Sequence, residues 1–260
     1  MTVQTEYFTI ETGAATDTGR VRAHNEDSYL VKPEFGVWVV ADGMGGHQAG
    51  DVASQTIVAE LSSVGFATSP EDLEVRFMER LSHAHGRIID HAKELGGGTV
   101  GATIVGLLAH EDRYICIWSG DSRIYRLRDG VLTQQTKDHT EVRELFEAGL
   151  ISAEEAANWP RKNVITRAIG VTDAPRCDTV ADTVIEGDIF LLCSDGLTEH
   201  NSDDDIAHAL RSDQPAQAIC DGLIAQTLDR GAKDNVTAVV VRCTAPALVT
   251  PDDDYWEGEA

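Results

Sequence analysis

The stretch Val37-Trp38-Val39-Val40-Ala41-Asp42-Gly43-Met44-Gly45-Gly46-His47 is an apolar run that stops at an aspartate and continues into glycines. β-Branched and aromatic residues bounded by glycine predict a buried β-strand. An ionised carboxylate at the mouth of such a strand is costly unless it is paired or coordinated. The stretch therefore predicts a metal or phosphate site at Asp42, and the alternative is an ordinary Asp-Gly turn.

The same pattern recurs further along the chain. Apolar runs precede Asp121 and Asp195, and Asp234 leads into the apolar run from Val236 to Val241. Carboxylates at the ends of several strands can converge on one edge of a sheet. Oxygen ligands of this kind suit hard cations such as Mg²⁺ or Mn²⁺. The set of four aspartates therefore favours a metal site more strongly than any one of them does.

Helical patterns alternate with antiparallel meanders. We expect helices at 51–63, where Asp51 stands at the N-cap position, and at 70–95, 203–211 and 215–229. Turn signals such as Asp129-Gly130 separate the short strands in between. This order predicts packed antiparallel sheets covered by helices, and it argues against a doubly wound parallel sheet.

Residues 141 to 160 interrupt the strand pattern with two short helices. The second begins at a capping box formed by Ser152 and Glu155. Arg161, Lys162 and Arg167 then give a positive patch to an acidic protein. We interpret this insertion as a flap beside the core strands, and a packed surface subdomain is the alternative.

Composition limits the classes of function. The 260 residues are 42% hydrophobic, and a net charge of −23 argues against nucleic acid or an anionic membrane surface as a partner. The five cysteines form no C-x-x-C pair, which is typical of free thiols in a reducing compartment. We find no leader pattern and no long apolar span, so we expect a cytoplasmic protein without a membrane span.

A charged segment before the first long strand suggests an anion site. The planar fork of Arg22 matches a phosphate, and Asp27 is a plausible carboxylate to hold that fork. A solvated cluster of surface ion pairs is the alternative. His83, His85 and His91 do not share one helical stripe, so we expect them to be solvated and not to bind metal.

Seven short motifs then occur in a fixed order: Arg22-x-x-Asn25-Glu26-Asp27, Asp42-Gly43-Met44-Gly45-Gly46-His47, Gly101-Ala102-Thr103, Gly120-Asp121-Ser122-Arg123, Asp138-His139-Thr140, Ser194-Asp195-Gly196-Leu197 and Asp234-Asn235-Val236-Thr237. Each motif is weak by itself, but the ordered set is specific. It resembles the metal-dependent protein serine/threonine phosphatases of type 2C, in their bacterial form, over residues 9–242.

The resemblance implies an α+β fold, in which a β-sandwich of two antiparallel sheets is flanked by helices in four αββα layers. It also implies one phosphatase domain over residues 1–245, with the flap at about 138–170. The acidic residues 246–260 would follow as a tail that we expect to be disordered.

The resemblance also implies a site with two Mn²⁺ or Mg²⁺ ions and a possible third. Asp42 would bridge two ions, and the carbonyl of Gly43 would bind one of them. The remaining ligands would be Asp195 and Asp234 for the other ion, and Asp121 together with Asp195 for the third. Glu26 would contact a metal through water, and Asp27 would brace Arg22 or the metal-bound solvent.

Arg22 would bind the substrate phosphate. Eukaryotic members carry histidine directly after the Asp-Gly pair, whereas this chain has Met44, so His47 is the candidate general acid and water is the alternative. Alanine stands at Ala102 where threonine is usual, and we expect the effect of that difference to be structural and mild.

The implied reaction is hydrolysis of phosphoserine and phosphothreonine by a metal-bridging hydroxide. The implied partners are phosphorylated proteins, such as a bacterial Ser/Thr kinase or its substrates, and the chain is expected to be a monomer. Two alternatives are a non-catalytic sensing or binding module with the same fold, and a phosphatase of small phosphomonoesters.

Overall fold

Two antiparallel sheets form the centre of the protein. The computed structural model describes residues 1–45, 49–161 and 163–246. Within these residues the first sheet has the spatial order β1-β2-β12-β11-β8-β9. Its strands are β1 (Thr2–Gln4), β2 (Thr9–Asp17), β8 (Arg123–Arg128), β9 (Val131–Gln134), β11 (Ile189–Cys193) and β12 (Val236–Thr244).

The second sheet has the order β10-β7-β6-β4-β3, and a short strand, β5, also pairs with β4. Its strands are β3 (Asp27–Lys32), β4 (Val37–Gly45), β5 (Val100–Ala102), β6 (Ile104–His110), β7 (Arg113–Ser119) and β10 (Asp178–Thr183). Neighbouring strands of the described chain pair antiparallel in both sheets.

Helices cover the outer faces of both sheets. The second sheet carries α1 (Ala49–Leu61) and α2 (Pro70–Glu94), and the first sheet carries α5 (Asp195–Thr198), α6 (Asp203–Leu210) and α7 (Ala216–Asp229). Two short helices, α3 (Glu141–Glu147) and α4 (Ala153–Ala157), lie between β9 and β10. This arrangement confirms the predicted α+β sandwich of four layers.

Burial of both faces explains why β4 is apolar from Val37 to Ala41. Val37, Val39 and Ala41 pack under α1 and α2, whereas Trp38 and Val40 point between the two sheets. Because both faces are buried, the period of two is hidden in one continuous apolar run. The indole Nε1 of Trp38 donates to the hydroxyl of Thr12 in the opposite sheet at 3.0 Å, which satisfies its polar atom inside the core.

Helix starts follow the predicted chemistry with one difference. The side chain of Ser69 caps α2 by accepting from the amide of Asp72, and Ser152 and Glu155 form the predicted capping box of α4. Helix α1 begins at Ala49, so Asp51 lies in its first turn and the prediction of an N-cap at this residue was wrong. A negative charge in the first turn still stabilises the helix through its dipole.

The prediction that His85 is solvated was also wrong. Its side chain is buried, its Nδ1 accepts from the amide of Gly170 at 3.0 Å, and its Nε2 lies 2.8 Å from the carbonyl oxygen of Thr172. The three histidines do not share a stripe with one another, but His85 lies on the same buried face of α2 as Leu81 and Ile88. Its spacing from these apolar residues, and not from the other histidines, indicates its burial.

Two further predictions concern the acidic tail and membrane crossing. The acidic tail predicted at 246–260 lies outside the described residues from position 247 onward. In the described ranges, none of the helices combines the length and the apolar character that crossing a membrane requires.

Leu107 gives a test of the core between the sheets, since its side chain is buried with 1% exposure. We expect Leu107→Ala to lower the free energy of unfolding by about 2–5 kcal/mol, because it removes buried methyl groups and leaves a cavity. Urea denaturation measures this change. The matched control is Leu150→Ala at 71% exposure, which should change stability by less than about 0.5 kcal/mol. Equal losses in the two variants would contradict the assigned core.

Candidate active site

Strand ends bring the predicted aspartates to one end of the sandwich. Asp42 of β4 lies opposite Asp27 of β3 in register, and Asp121 lies in the turn between β7 and β8. Asp195 begins α5 directly after β11, and Asp234 lies just before β12. The negative charges of the four other aspartates named here all raise the pKa of the Asp42 carboxyl. The five carboxylates therefore share one electrostatic environment.

Burial and mutual repulsion perturb these carboxyl groups. Burial raises the pKa of Asp27 to about 6 and that of Asp121 to about 7, and neighbouring carboxylates add to both shifts. The same causes raise the pKa of Asp42 and of Asp195 well above the ordinary value. A set of buried carboxylates that repel one another is the environment that a bound cation would stabilise.

The donor set fits hard divalent cations in type. Carboxylate oxygens are the ligands that Mg²⁺ and Mn²⁺ prefer. One carboxylate oxygen of this site, Oδ1 of Asp27, is buried without a hydrogen-bond partner among the described residues. In the described part of the chain, however, no group of three or more His, Cys, Asp or Glu side chains is close enough together to hold an ion as it stands. Binding would therefore require side-chain rotation on a backbone that already brings the carboxylates together.

Asp27 connects the two sheets. Its Oδ2 accepts from the hydroxyls of Ser194 and Thr237, at 2.7 Å each. Ser194 Oγ in turn accepts from the amide of Thr237 at 3.0 Å. Asp27 belongs to the second sheet, whereas Ser194 directly follows β11 and Thr237 lies in β12, both of the first sheet. The predicted pairing of Asp27 with Arg22 was wrong, because the two hydroxyls occupy Oδ2 of Asp27 and Arg22 pairs elsewhere. The alternative, that Asp27 braces metal-bound solvent, stays a prediction.

Arg22 pairs with Asp234 instead. Its Nη2 lies 2.6 Å from Oδ2 of Asp234, and the two side chains are 53% and 33% exposed. An ion pair that is this exposed contributes little to stability. The guanidinium therefore stays available to an anion that offers two oxygens to its fork. This geometry is compatible with the predicted role of Arg22 as a phosphate ligand.

Close backbone approach explains the glycine after Asp42. A Cβ atom on Gly43 would lie 2.0 Å from the carbonyl oxygen of Gly50 and 2.7 Å from that of Glu26. The amide of Gly43 donates to the Glu26 carbonyl at 3.1 Å, and the Asp42 carbonyl accepts from Thr103 at 2.8 Å. These contacts fix the backbone that carries Asp42, and they place Glu26 beside it. Burial raises the pKa of the Glu26 carboxyl.

Asn235 has a positioning role that the sequence reasoning missed. Its Oδ1 accepts from the amide of Glu26 at 2.8 Å, and its Nδ2 donates to the carbonyls of Thr18 and His24 at 2.9 Å each. One side chain therefore fixes the segment between Arg22 and Glu26 against the start of β12. An amide next to Asp234 was visible in the sequence, but its partners are more than two hundred positions away.

His139 is a second residue whose role was missed. Its buried ring stacks on Trp118, and its Nδ1 accepts from the amide of Gly120 at 3.2 Å. Its Nε2 lies 3.2 Å from Oδ2 of Asp178, which assigns the ring proton to Nε2. Burial lowers the pKa of His139 and favours the neutral ring. The ring thereby supports the turn that carries Asp121.

His47, the candidate general acid, lies outside the described residues together with Gly46 and Gln48. Its assignment stays a prediction. The remaining candidates, Arg22, Glu26, Asp27, Asp42, Gly43, Asp121, Asp195 and Asp234, all lie at this end of the sandwich.

Comparison with known proteins gives a consistent result. A family model for protein phosphatase 2C matches residues 18–240. The serine/threonine phosphatase stp of Listeria monocytogenes is 37% identical over 234 residues, which cover 87% of this chain and 93% of that protein.

Solved structures agree. PppA, described as a key regulatory component of T6SS in Pseudomonas aeruginosa, superimposes with a TM-score of 0.83 at 39% identity, covering 90% of this chain and 97% of PppA. The catalytic domain of the serine/threonine protein phosphatase PstP, solved with two manganese ions, gives a TM-score of 0.81 at 35% identity, with 90% and 98% coverage. The order of motifs, the four-layer sandwich and these similarities together show that the chain belongs to the protein phosphatase 2C family.

Proposed function

We propose that this chain hydrolyses phosphoserine and phosphothreonine residues of proteins, in opposition to a bacterial serine/threonine kinase. The observation that carries the proposal is the convergence of the buried carboxylates around Asp42 with Arg22 at the same edge. The names of its relatives support a protein substrate.

Divalent cations, Mn²⁺ or Mg²⁺, are the cofactors that this site fits. We propose that Asp42, the carbonyl of Gly43, Asp195 and Asp234 hold two ions, that Asp121 and Asp195 hold a third, and that Glu26 acts through water. The manganese ions of PstP support this proposal. Such ions, when bound, acidify water to a hydroxide nucleophile near neutral pH and screen the charge of the phosphate.

The protein's own groups orient the substrate. Arg22 binds the phosphate through its exposed guanidinium, and Asn235 holds the segment that carries it. Ser194 and Thr237 fix the carboxylate of Asp27 through Oδ2, which leaves Oδ1 buried without a hydrogen-bond partner among the described residues. We assign the protonation of the leaving alkoxide to His47, with water as the alternative.

The two alternative functions make different demands. A non-catalytic module would not need the complete set of carboxylates. All carboxylates of the set are present at one end of the sandwich, which favours an enzyme. A phosphatase of small phosphomonoesters would use the same chemistry without a binding surface for a peptide. Rates on phosphopeptides and on p-nitrophenyl phosphate separate the protein phosphatase from this second alternative.

The first prediction concerns the metal. We expect the wild-type protein to release phosphate from a phosphothreonine peptide with Mn²⁺ and to lose this activity with chelator. Asp195→Asn should lower kcat by at least about a hundredfold, because it removes a ligand charge from the site. Malachite-green detection of phosphate measures the rate, and exposed Asp213→Asn is the matched control. Activity that persists in chelator would overturn the metal-dependent mechanism.

The second prediction concerns Arg22. Loss of a charge-assisted contact to phosphate is worth roughly 1.5–3 kcal/mol, so Arg22→Ala should lower kcat/KM by about ten- to a hundredfold. Arg22→Lys should recover part of this loss, since it keeps the charge without the planar fork. Exposed Arg20→Ala is the control. If the Arg20 and Arg22 variants were equally active, Arg22 would not be a phosphate ligand.

A further inference from the structure

A cavity of about 370 Å³ opens beside the carboxylate cluster, between it and the flap. We keep the name flap for residues 138–170. On one side the cavity is lined by Asp121 and Asp195, which are candidate metal ligands. The cavity is therefore continuous with the site where the phosphorylated residue would bind, and it is large enough for one further side chain of a peptide.

The opposite wall belongs to the flap and is partly apolar. Its apolar part consists of Val142 and Phe146 from α3 and of Ala153 and Ala156 from α4, and its polar part of Asp138, Thr140, Arg143 and Asn163. In α3 and α4, whose residues are all described, none of the side chains is buried, and Phe146 is 38% exposed. The apolar face of the flap is therefore turned toward the cavity without a core behind it. Covering it would release ordered water and stabilise the complex.

Four charged groups of the lining have polar partners. Nε and Nη2 of Arg123 donate to Oδ1 and Oδ2 of Asp138 at 2.9 and 2.7 Å. Nη2 of Arg143 lies 3.0 Å from Oε1 of Glu147. Glu199 accepts a hydrogen bond from Asn163. The Arg123 pair is the more buried of the two, whereas the side chains of Arg143 and Glu147 are 43% and 44% exposed and their ion pair is correspondingly weak. An acidic side chain would meet the negative charges of Asp138 and Glu199.

We propose that this cavity is a specificity pocket that accepts a large apolar side chain close to the phosphorylated residue and disfavours an acidic one. The proposal rests on the proposed function and deepens it, because it names the class of phosphopeptide that the site selects. The occupant is a side chain of the substrate, since the pocket opens directly onto the candidate metal ligands and is walled by the flap.

The experiment uses the full chain with Mn²⁺ and a set of phosphothreonine peptides in a Gly/Ser background. Phenylalanine, serine or glutamate is placed at one position at a time, from three before to three after the phosphothreonine. We expect at least one position at which phenylalanine raises kcat/KM about tenfold over serine, mainly through KM, while glutamate lowers it. Rates that are independent of the neighbouring residue would overturn the proposal.

Variants then connect the preference to the pocket. Phe146→Ser should reduce the phenylalanine-to-serine ratio to about one, and Phe146→Leu should keep most of it. Ala153→Leu should also lower the ratio by filling the pocket, which preserves the test if Phe146→Ser perturbs the flap. Leu150→Ser, at an exposed position of the flap outside the lining, is the control and should keep the wild-type ratio.

The two proposals fail in different ways. If metal-loaded protein released no phosphate from any peptide in the set, the proposed function would fall. If it hydrolysed the peptides but Phe146→Ser and Ala153→Leu kept the full phenylalanine preference, the function would stand and the pocket would be wrong.

Discussion

Asp27 takes two hydrogen bonds from hydroxyls of the opposite sheet, and much of the site depends on this contact. The two sheets otherwise meet mainly through apolar side chains, with a few polar contacts such as that of Trp38 with Thr12. A buried carboxylate with two fixed donors specifies the relative position of the strand ends. This contact fixes the end of β3 relative to the ends of β11 and β12, and β4 pairs with β3. Asp42, Asp195 and Asp234 therefore come within range of one another's charge.

The cost of this arrangement is local, and the fold compensates for it elsewhere. Burying carboxylates that repel one another destabilises the folded chain, as their raised pKa values show. The three apolar clusters, one between the sheets and one under each helical layer, supply the opposing stabilisation. The apolar runs next to Asp42, Asp121 and Asp195 are buried in these clusters, so the same segments contribute to both the stability and the site.

Much of the fold could be predicted because apolar runs and turn signals are local properties. The strand at Val37, the long helix from Pro70 and the capping box at Ser152 all follow from residues within a few positions of one another. The ordered motifs identified the candidate acidic residues, although their individual metal contacts stay predictions.

The partners of Arg22, the burial of His85 and the contacts of Asn235 were not predictable, because each depends on residues far away in the sequence. Polar strand β10 was missed since its exposed face gives no clear alternation.

The flap shows how this architecture can diversify. It is attached to the second sheet through the isolated bridge of Ala102 to Ile169, a second bridge, Thr140 to Ile165, closes the flap on itself, and its helices contribute no side chain to the described core. Substitutions on α3 and α4 are therefore nearly free of the packing constraints that act on the sheets. The sequence of this segment can therefore change during evolution while the sandwich stays under selection for folding. The proposed specificity pocket would thus let such proteins acquire new targets without changes in the sandwich that carries the carboxylates.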